Sequence, residues 1–296
     1  MADMSEFRPL PAAPPDIDPK ATRFGRIRLA LERATPRSGW RAHVYEFLLF
    51  GFKQGWACLF GGLLLALLFG THFLYPERAP IARYDFLTLA ALAIQVGMIL
   101  LRLESLEEAK VILAFHIVGT VMELFKTAAG SWEYPEPNLL RIGGVPLFSG
   151  FMYAAVGSYI ARIWRIFDFR FDHYPPRWAT IALAGAIYIN FFAHHWLPDV
   201  RIALFAATAL IFGRTIIWFR PHRADRAMPA LLGFFLVALF IWFAENIATF
   251  SRAWSYPDQA RGWVMVSPTK LGVWFLLMII SFVLVSLVHR PQARHG

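Results

Sequence analysis

From Gly272 to Val288 the chain runs without a single charged residue. A segment of this length and apolarity is suited to the hydrocarbon core of a bilayer, which a helix of about 20 residues crosses. Comparable runs recur, and we read eight: roughly Trp56–Tyr75, Tyr84–Leu101, Val111–Thr127, Val145–Ile163, Trp178–Trp196, Ile202–Phe219, Met228–Phe250 and Gly272–Val288. The expected fold class is an all-α integral membrane protein with about eight transmembrane helices. Composition agrees, with 57% hydrophobic and 17% charged residues and a mean hydropathy of +0.48. The third and seventh runs are the least apolar, because one holds His116 and Glu123 and the other Glu245 and Asn246.

The net charge of +9 follows this pattern. With eight spans, one side receives the N-terminal tail, the loops near 102–110, 162–177 and 214–226, and the C-terminal tail. These segments hold most of the 29 lysines and arginines; the opposite side has Arg78, Arg83, Lys126, Arg141, Arg201, Arg252, Arg261 and Lys270. The bias places both termini in the cytoplasm. Basic charge distributed this way is a signature of topology, and no nucleic-acid motif accompanies it. The partner is the lipid bilayer, not nucleic acid.

Arg102, Glu104, Glu107, Glu108 and Lys110 read as a solvated turn; Arg162, Arg165, Arg170 and Arg177 with Asp168 and Asp172 read as a membrane-flanking loop. Arg214 is placed inside the sixth span, snorkelling to the cytoplasmic surface. Residues 1–19 suit a disordered tail. Over Ala21–Arg33, Phe24, Ile27 and Leu31 fall at helical spacing among arginines, which fits an interfacial helix or a solvated basic tail. The single cysteine, Cys58, allows no intramolecular disulfide. Residues 1–42 lack the apolar core of a cleavable signal peptide, so insertion by the first span is expected.

One pattern occurs twice. Glu123, Thr127, Trp132, Tyr134 and Pro135 recur 122 residues later as Glu245, Thr249, Trp254, Tyr256 and Pro257, giving E-x3-T-x4-W-x-Y-P. At the same offset Pro146 and Gly150 match Pro268 and Gly272, Trp56 matches Trp178, His72 matches His194 and Pro76 matches Pro198. The expected organisation is a tail over 1–42, a four-helix repeat over 43–164, a second over 165–290 and a tail over 291–296. An even number of spans per half gives both halves the same orientation, as in parallel repeats.

Polar residues inside apolar spans are the candidates for function, since an ionisable group at the bilayer centre costs roughly 2.5–3.5 kcal/mol on insertion scales. His116, Thr120, Glu123 and Thr127 share one helix face. Glu123, Glu245 and His116 are the candidate catalytic groups, the glutamates as general acid or base. Candidate cavity-lining residues are Thr120, Thr127, Thr249, Asn246, Asn190, His72, His194, His195, Trp132, Tyr134, Trp254, Tyr256 and Arg141. The Trp132/Tyr134 and Trp254/Tyr256 pairs are placed in an interfacial aromatic belt. Imidazole and carboxylate suit zinc or iron, but there is no H-E-x-x-H and no metal site is assigned; no cofactor is named.

The segment Glu123-Leu-Phe-Lys-Thr-Ala-Ala-Gly-Ser-Trp-Glu-Tyr-Pro-Glu-Pro-Asn138, with Arg141-Ile-Gly-Gly-Val-Pro-Leu-Phe-Ser-Gly-Phe151 and Trp254-Ser-Tyr-Pro-Asp-Gln-Ala-Arg-Gly-Trp263, resembles the YoaT-like family of bacterial multi-pass proteins. The resemblance spans about Tyr45 to Val288 and implies the bacterial inner (cytoplasmic) membrane, with no activity attached. Gly130–Pro135 followed by Arg141–Pro146 is also similar, more locally, to the lycopene cyclase domain. That resemblance implies protonation of a polyene by intramembrane acids. The paired acids of that domain are replaced after Pro146 by Leu147, Phe148 and Ser149, so the acid role would pass to Glu123 and Glu245. Three functions follow as expectations: an enzyme acting on an isoprenoid or other lipid ligand, a small-solute transporter or channel, and a structural or assembly protein. His116 has Ala238 as its counterpart at the repeat offset, and this asymmetry favours the enzyme.

Overall fold

A computed structural model describes residues 39–294 other than 105, together with Ile27, Ala30 and Leu31. The expected disordered tail, and all but those three residues of Ala21–Arg33, lie outside the described residues. The elements in order are α1 (Trp40–Ala57), α2 (Leu59–Leu74), α3 (Arg83–Leu100), α4 (Leu106–Ala128), β1 (Arg141–Ile142), β2 (Val145–Pro146), α5 (Phe148–Ile166), β3 (Arg170–Asp172), α6 (Arg177–Ala193), α7 (Arg201–Phe212), β4 (Ile216–Phe219), β5 (Arg226–Pro229), α8 (Ala230–Phe250) and α9 (Thr269–Val288).

The helix ends follow local chemistry. Pro76 holds Tyr75 in extended backbone and stops α2. Gly130, at φ 70°, closes α4 while the Ser131 amide donates to the Lys126 carbonyl, a left-handed cap. Pro176, Pro229 and Pro268, which have no amide hydrogen to lose, precede α6, α8 and α9.

Among the described residues four helices are long and apolar enough to cross a membrane: α3, α4 from Glu108, α8 and α9; the α1–α2 pair, bent by 68°, makes a fifth if it counts as one span. Their outward faces are apolar, with Phe73, Leu100, Leu113 and Phe240 exposed as only lipid-facing side chains are in a stable membrane protein. The chain is thus a helical membrane protein. A helix stands at each of the eight expected places, but α6 and α7 are shorter, and α5 carries Ser149, Ser158, Arg162 and Arg165.

The all-α expectation needs correction in two places. The sixth run ends as a helix at Phe212, and Ile216–Phe219 instead forms the central strand of a three-stranded antiparallel sheet, β3–β4–β5. Ile216 and Ile217 are β-branched and pair readily on both sides, so an apolar run was not a helical one. Arg214 lies in the turn between them, outside the helix. A two-residue hairpin, β1–β2, is the other addition.

Loops gather at two ends. At one, Arg83 donates to the Ser251 carbonyl at 2.6 Å and pairs with Glu136, and Asp85 accepts from the amides of Leu139 and Leu140. At the other, Phe171 in β3 pairs with residues 292–294, and Lys53 of α1 donates to the Pro221 carbonyl. Between them, α4 and α5 approach closely: a Cβ on Gly119 would stand 2.5 Å from the Tyr153 ring, and one on Gly150 would stand 2.5 Å from His116 Nδ1.

Candidate functional site

Both glutamates are buried at the Arg83 end, each 3% exposed, and each is held by the corner that follows it. Glu123 Oε2 accepts from the Trp132 indole and the Tyr134 hydroxyl, both at 2.7 Å, and Oε1 accepts from the Tyr153 hydroxyl at 2.7 Å. Glu245 Oε1 accepts from the Tyr256 hydroxyl at 2.5 Å, and Oε2 from the Trp274 indole at 2.7 Å. Trp254 does not donate to Glu245. It packs in the apolar cluster around Tyr84, Phe148 and Val266, and its donor role passes to Trp274. Among the described residues neither glutamate forms a salt bridge. Both are satisfied by neutral donors, as a polar group buried away from water requires.

Burial, and next the adjacent Glu123 carboxylate, push the Tyr134 phenol well above its ordinary pKa; burial and Glu245 do the same for Tyr256. Both phenols therefore stay protonated and donate. Tyr134, Trp254 and Tyr256 are buried rather than presented outward as a belt, and the two phenol hydroxyls are bound to the glutamates.

The two corners are joined. Glu133 and Ser255, equivalent in the two copies of the motif, exchange backbone hydrogen bonds of 3.0 and 2.9 Å. Trp132 meets Tyr256 edge to face at 6.1 Å, and the Lys270 ammonium lies 4.3 Å from the Tyr256 ring centre. Tyr256 and Lys270, with Ser131, Asp258 and Ser267, line an open polar cavity of about 270 Å³. On the inner side, Tyr153 and Trp274 stand in the wall of a narrow crevice of about 30 Å³, otherwise lined by apolar groups such as Phe115, Met122 and Met278 and by Ser281.

The remaining candidates are not brought to the carboxylates. His116 lies against Phe151, ring centres 4.6 Å apart, and against Gly150, two turns from Glu123. Thr120 donates to the His116 carbonyl, and Thr249 donates to that of Glu245 while accepting from Trp263. Thr127 is half-buried, with its hydroxyl shielded from solvent and unpaired. Asn246 bridges the Trp242 carbonyl and the Val266 amide, securing the loop before α9. Arg141 closes its own hairpin on the Gly144 carbonyl at 2.6 Å. His72 packs edge-on to Phe73.

Asn190, His194 and His195 form a separate group. His194 Nδ1 faces the Asn190 carbonyl at 2.9 Å, so that nitrogen carries the hydrogen and Nε2 accepts from Lys126 at 3.4 Å; His195 Nε2 lies 2.9 Å from the same ammonium. Burial and the Lys126 charge hold His195 below its usual pKa. Asn190 also braces the following loop through Asp199 and the Val200 amide.

Sequence reasoning passed over Tyr153 and Trp274, although they follow their glutamates by 30 and 29 residues. That near-equal spacing, with a polar-tipped aromatic in the span after each motif, was the available signal. It also placed at the surface several charges that are buried, three of them in cytoplasmic loops. Glu104 and Glu108, expected in solvent, are buried because Gln95 and Ser158 hold the first and Arg165 the second. Arg162, assigned to a flanking loop, lies within α5 and is 0% exposed.

Among solved structures, a crystal structure of a mycobacterial Insig homolog, MvINS from Mycobacterium vanbaalenii, is similar at a TM-score of 0.44 and 15% identity, covering 64% of this chain and 98% of that one. A relative from Bacillus subtilis (strain 168), the "Uncharacterized protein YoaT", is 41% identical over 243 residues, which are 82% of this chain and 91% of that protein. Residues 46–282 match the family described as "Protein of unknown function (DUF817)", and this chain belongs to that family.

Proposed function

We propose that this protein is a polytopic enzyme of the bacterial cytoplasmic membrane that acts on an isoprenoid or other lipid by carboxylate acid/base chemistry. It has both termini in the cytoplasm and eight crossing helices in two four-helix halves, 43–164 and 165–290. The alternation of loops between two ends supports the eight crossings, and the pairing of Glu133 with Ser255 at equivalent positions supports the repeat.

The observation that carries the chemistry is the place of Tyr153. Its hydroxyl is bound to Glu123 at 2.7 Å, and the same residue lines the apolar crevice between α4, α5, α8 and α9. Tyr153 thus carries the exchangeable proton that a chain lying in the crevice would meet, with Glu123 behind it as the group that returns the proton. On the far side, Tyr256 joins Glu245 to the polar cavity, where water supplies or removes protons. Met122 and Met278 in the crevice walls are unbranched and repack easily, which suits a narrow space that opens around a hydrocarbon chain.

A second reading rests on the saturation of Glu123 by three donors: the glutamates serve as anchors that clamp each corner to its helix pair. Glu123→Gln and Glu245→Gln separate the two. In a deletion strain complemented with each variant, the enzyme reading requires a membrane-lipid profile shifted toward that of the deletion, at wild-type protein levels. Full complementation by both variants would leave only the clamp. Solute uptake by proteoliposomes without any lipid change would instead identify a transporter.

A further inference from the structure

Arg162 is the largest fully buried side chain among the described residues, and Nε, Nη1 and Nη2 are all without a hydrogen-bond partner. A guanidinium has five donors in a planar fork, and leaving them unmet away from water costs several kcal/mol. The surroundings do not meet that need. Glu104 and Glu108 are the acids whose charge reaches it, but Glu104 is held by Gln95 and Ser158, each at 2.5 Å, and Glu108 by Arg165 at 3.0 Å. One face of the guanidinium lies 5.3 Å from the Trp56 ring centre, which offers attraction but no acceptor.

We infer that Arg162 is the base of an oxyanion-binding site at the sheet end of the bundle, taking a phosphate group beneath the α1–α2 bend. Phosphate fits better than carboxylate because all three guanidinium nitrogens are unpaired, and a tetrahedral group offers more oxygens than a carboxylate's two. Trp56, in the last turn of α1, covers the guanidinium, and Cys58, two residues on at the bend, is exposed. This site lies apart from the glutamates and does not depend on the function proposed for them. The phosphate comes either from a phospholipid headgroup at this leaflet or from free phosphate.

The native cysteine reports on occupancy. Purified full-length protein in neutral detergent is treated with a maleimide, with phosphatidylglycerol or inorganic phosphate as probe, and with phosphatidylcholine-free detergent or chloride at equal ionic strength as control. Occupancy slows Cys58 alkylation several-fold and raises the melting temperature in the wild type, and Arg162→Gln abolishes both responses. A response to phosphatidylglycerol but not to inorganic phosphate assigns the lipid headgroup; a response to both assigns the free anion. The inference is overturned if neither probe changes the wild-type alkylation rate, a result that needs no variant to fold, or if Arg162→Gln responds as the wild type does.

Discussion

The Tyr153 hydroxyl reaches Glu123 across Gly119, one helical turn earlier on the same face of α4, because that position has no side chain to hold the ring away. A Cβ on Gly119 would stand 2.5 Å from the ring, so the hydrogen bond and the close packing of α4 on α5 depend on one glycine. Gly119→Ala is expected to destabilise the protein by about 1–3 kcal/mol through overpacking. Its melting temperature in detergent should fall, and a Gly119→Ala/Tyr153→Phe double variant should lose less than the sum of the two single changes.

The two glutamates differ in how many donors they can lose. Trp132→Phe leaves Glu123 Oε2 with Tyr134, whereas Trp274→Phe strips Glu245 Oε2 of the indole it holds. An orphaned buried acceptor costs about 1–3 kcal/mol. Trp274→Phe should therefore lower the melting temperature more than Trp132→Phe, and equal losses would mean that Glu245 finds a replacement donor.

Arg83 ties α2, the 129–147 segment and the 251–268 segment together through Leu68, Thr71, Glu136 and Ser251. Removing the guanidinium leaves buried acceptors without a donor, at about 1–3 kcal/mol. Arg83→Met should make the 251–268 loop cleavable by protease added to that face of oriented vesicles, while the helices remain protected.

At the sheet end, burial works to raise the Asp225 pKa, but the Arg220 hydrogen bond and the charges of Arg170, Arg220 and Arg294 outweigh it and hold the carboxyl below its ordinary value. A folded-state pKa lowered in this way contributes stability above the unfolded value of about 3.9, and that contribution is lost as pH falls through the folded value. Docking of the 292–294 segment should thus be insensitive to pH near neutrality and weaken below about pH 4. In Asp225→Asn it should be weaker at neutral pH, as read by proteolysis of the C-terminal residues.

The membrane helices were legible because twenty apolar residues have few other fates, and the glutamates because a charge in such a run demands a partner. Periodicity placed His116 beside Glu123 on one face, but two turns separate them by about 10 Å, and the His116–Thr120 stripe is spent on a helix carbonyl and on the contact with Gly150. Ile216–Phe219 was misread because a short apolar run has the same pattern as a helix end or a strand. Tyr153 and Trp274 were hidden since an aromatic in a span ordinarily fills the core; only the partner at its polar tip distinguishes it. Glu104, Glu108 and Arg162 follow the same logic, their burial being set by residues distant in sequence.

Tyr153→Phe keeps the ring against Gly119 and removes only the hydroxyl that donates to Glu123, so it tests the acid/base account with the least disturbance to the fold. Deletion strains carrying wild type or Tyr153→Phe are grown in deuterated water, and their lipids are compared by mass spectrometry. The account predicts a lipid species that the wild type forms with one solvent deuteron on carbon, reduced at least tenfold in Tyr153→Phe, a loss of about 1.4 kcal/mol in transition-state stabilisation. Indistinguishable lipid and deuterium profiles in wild type, Tyr153→Phe and the deletion would contradict it.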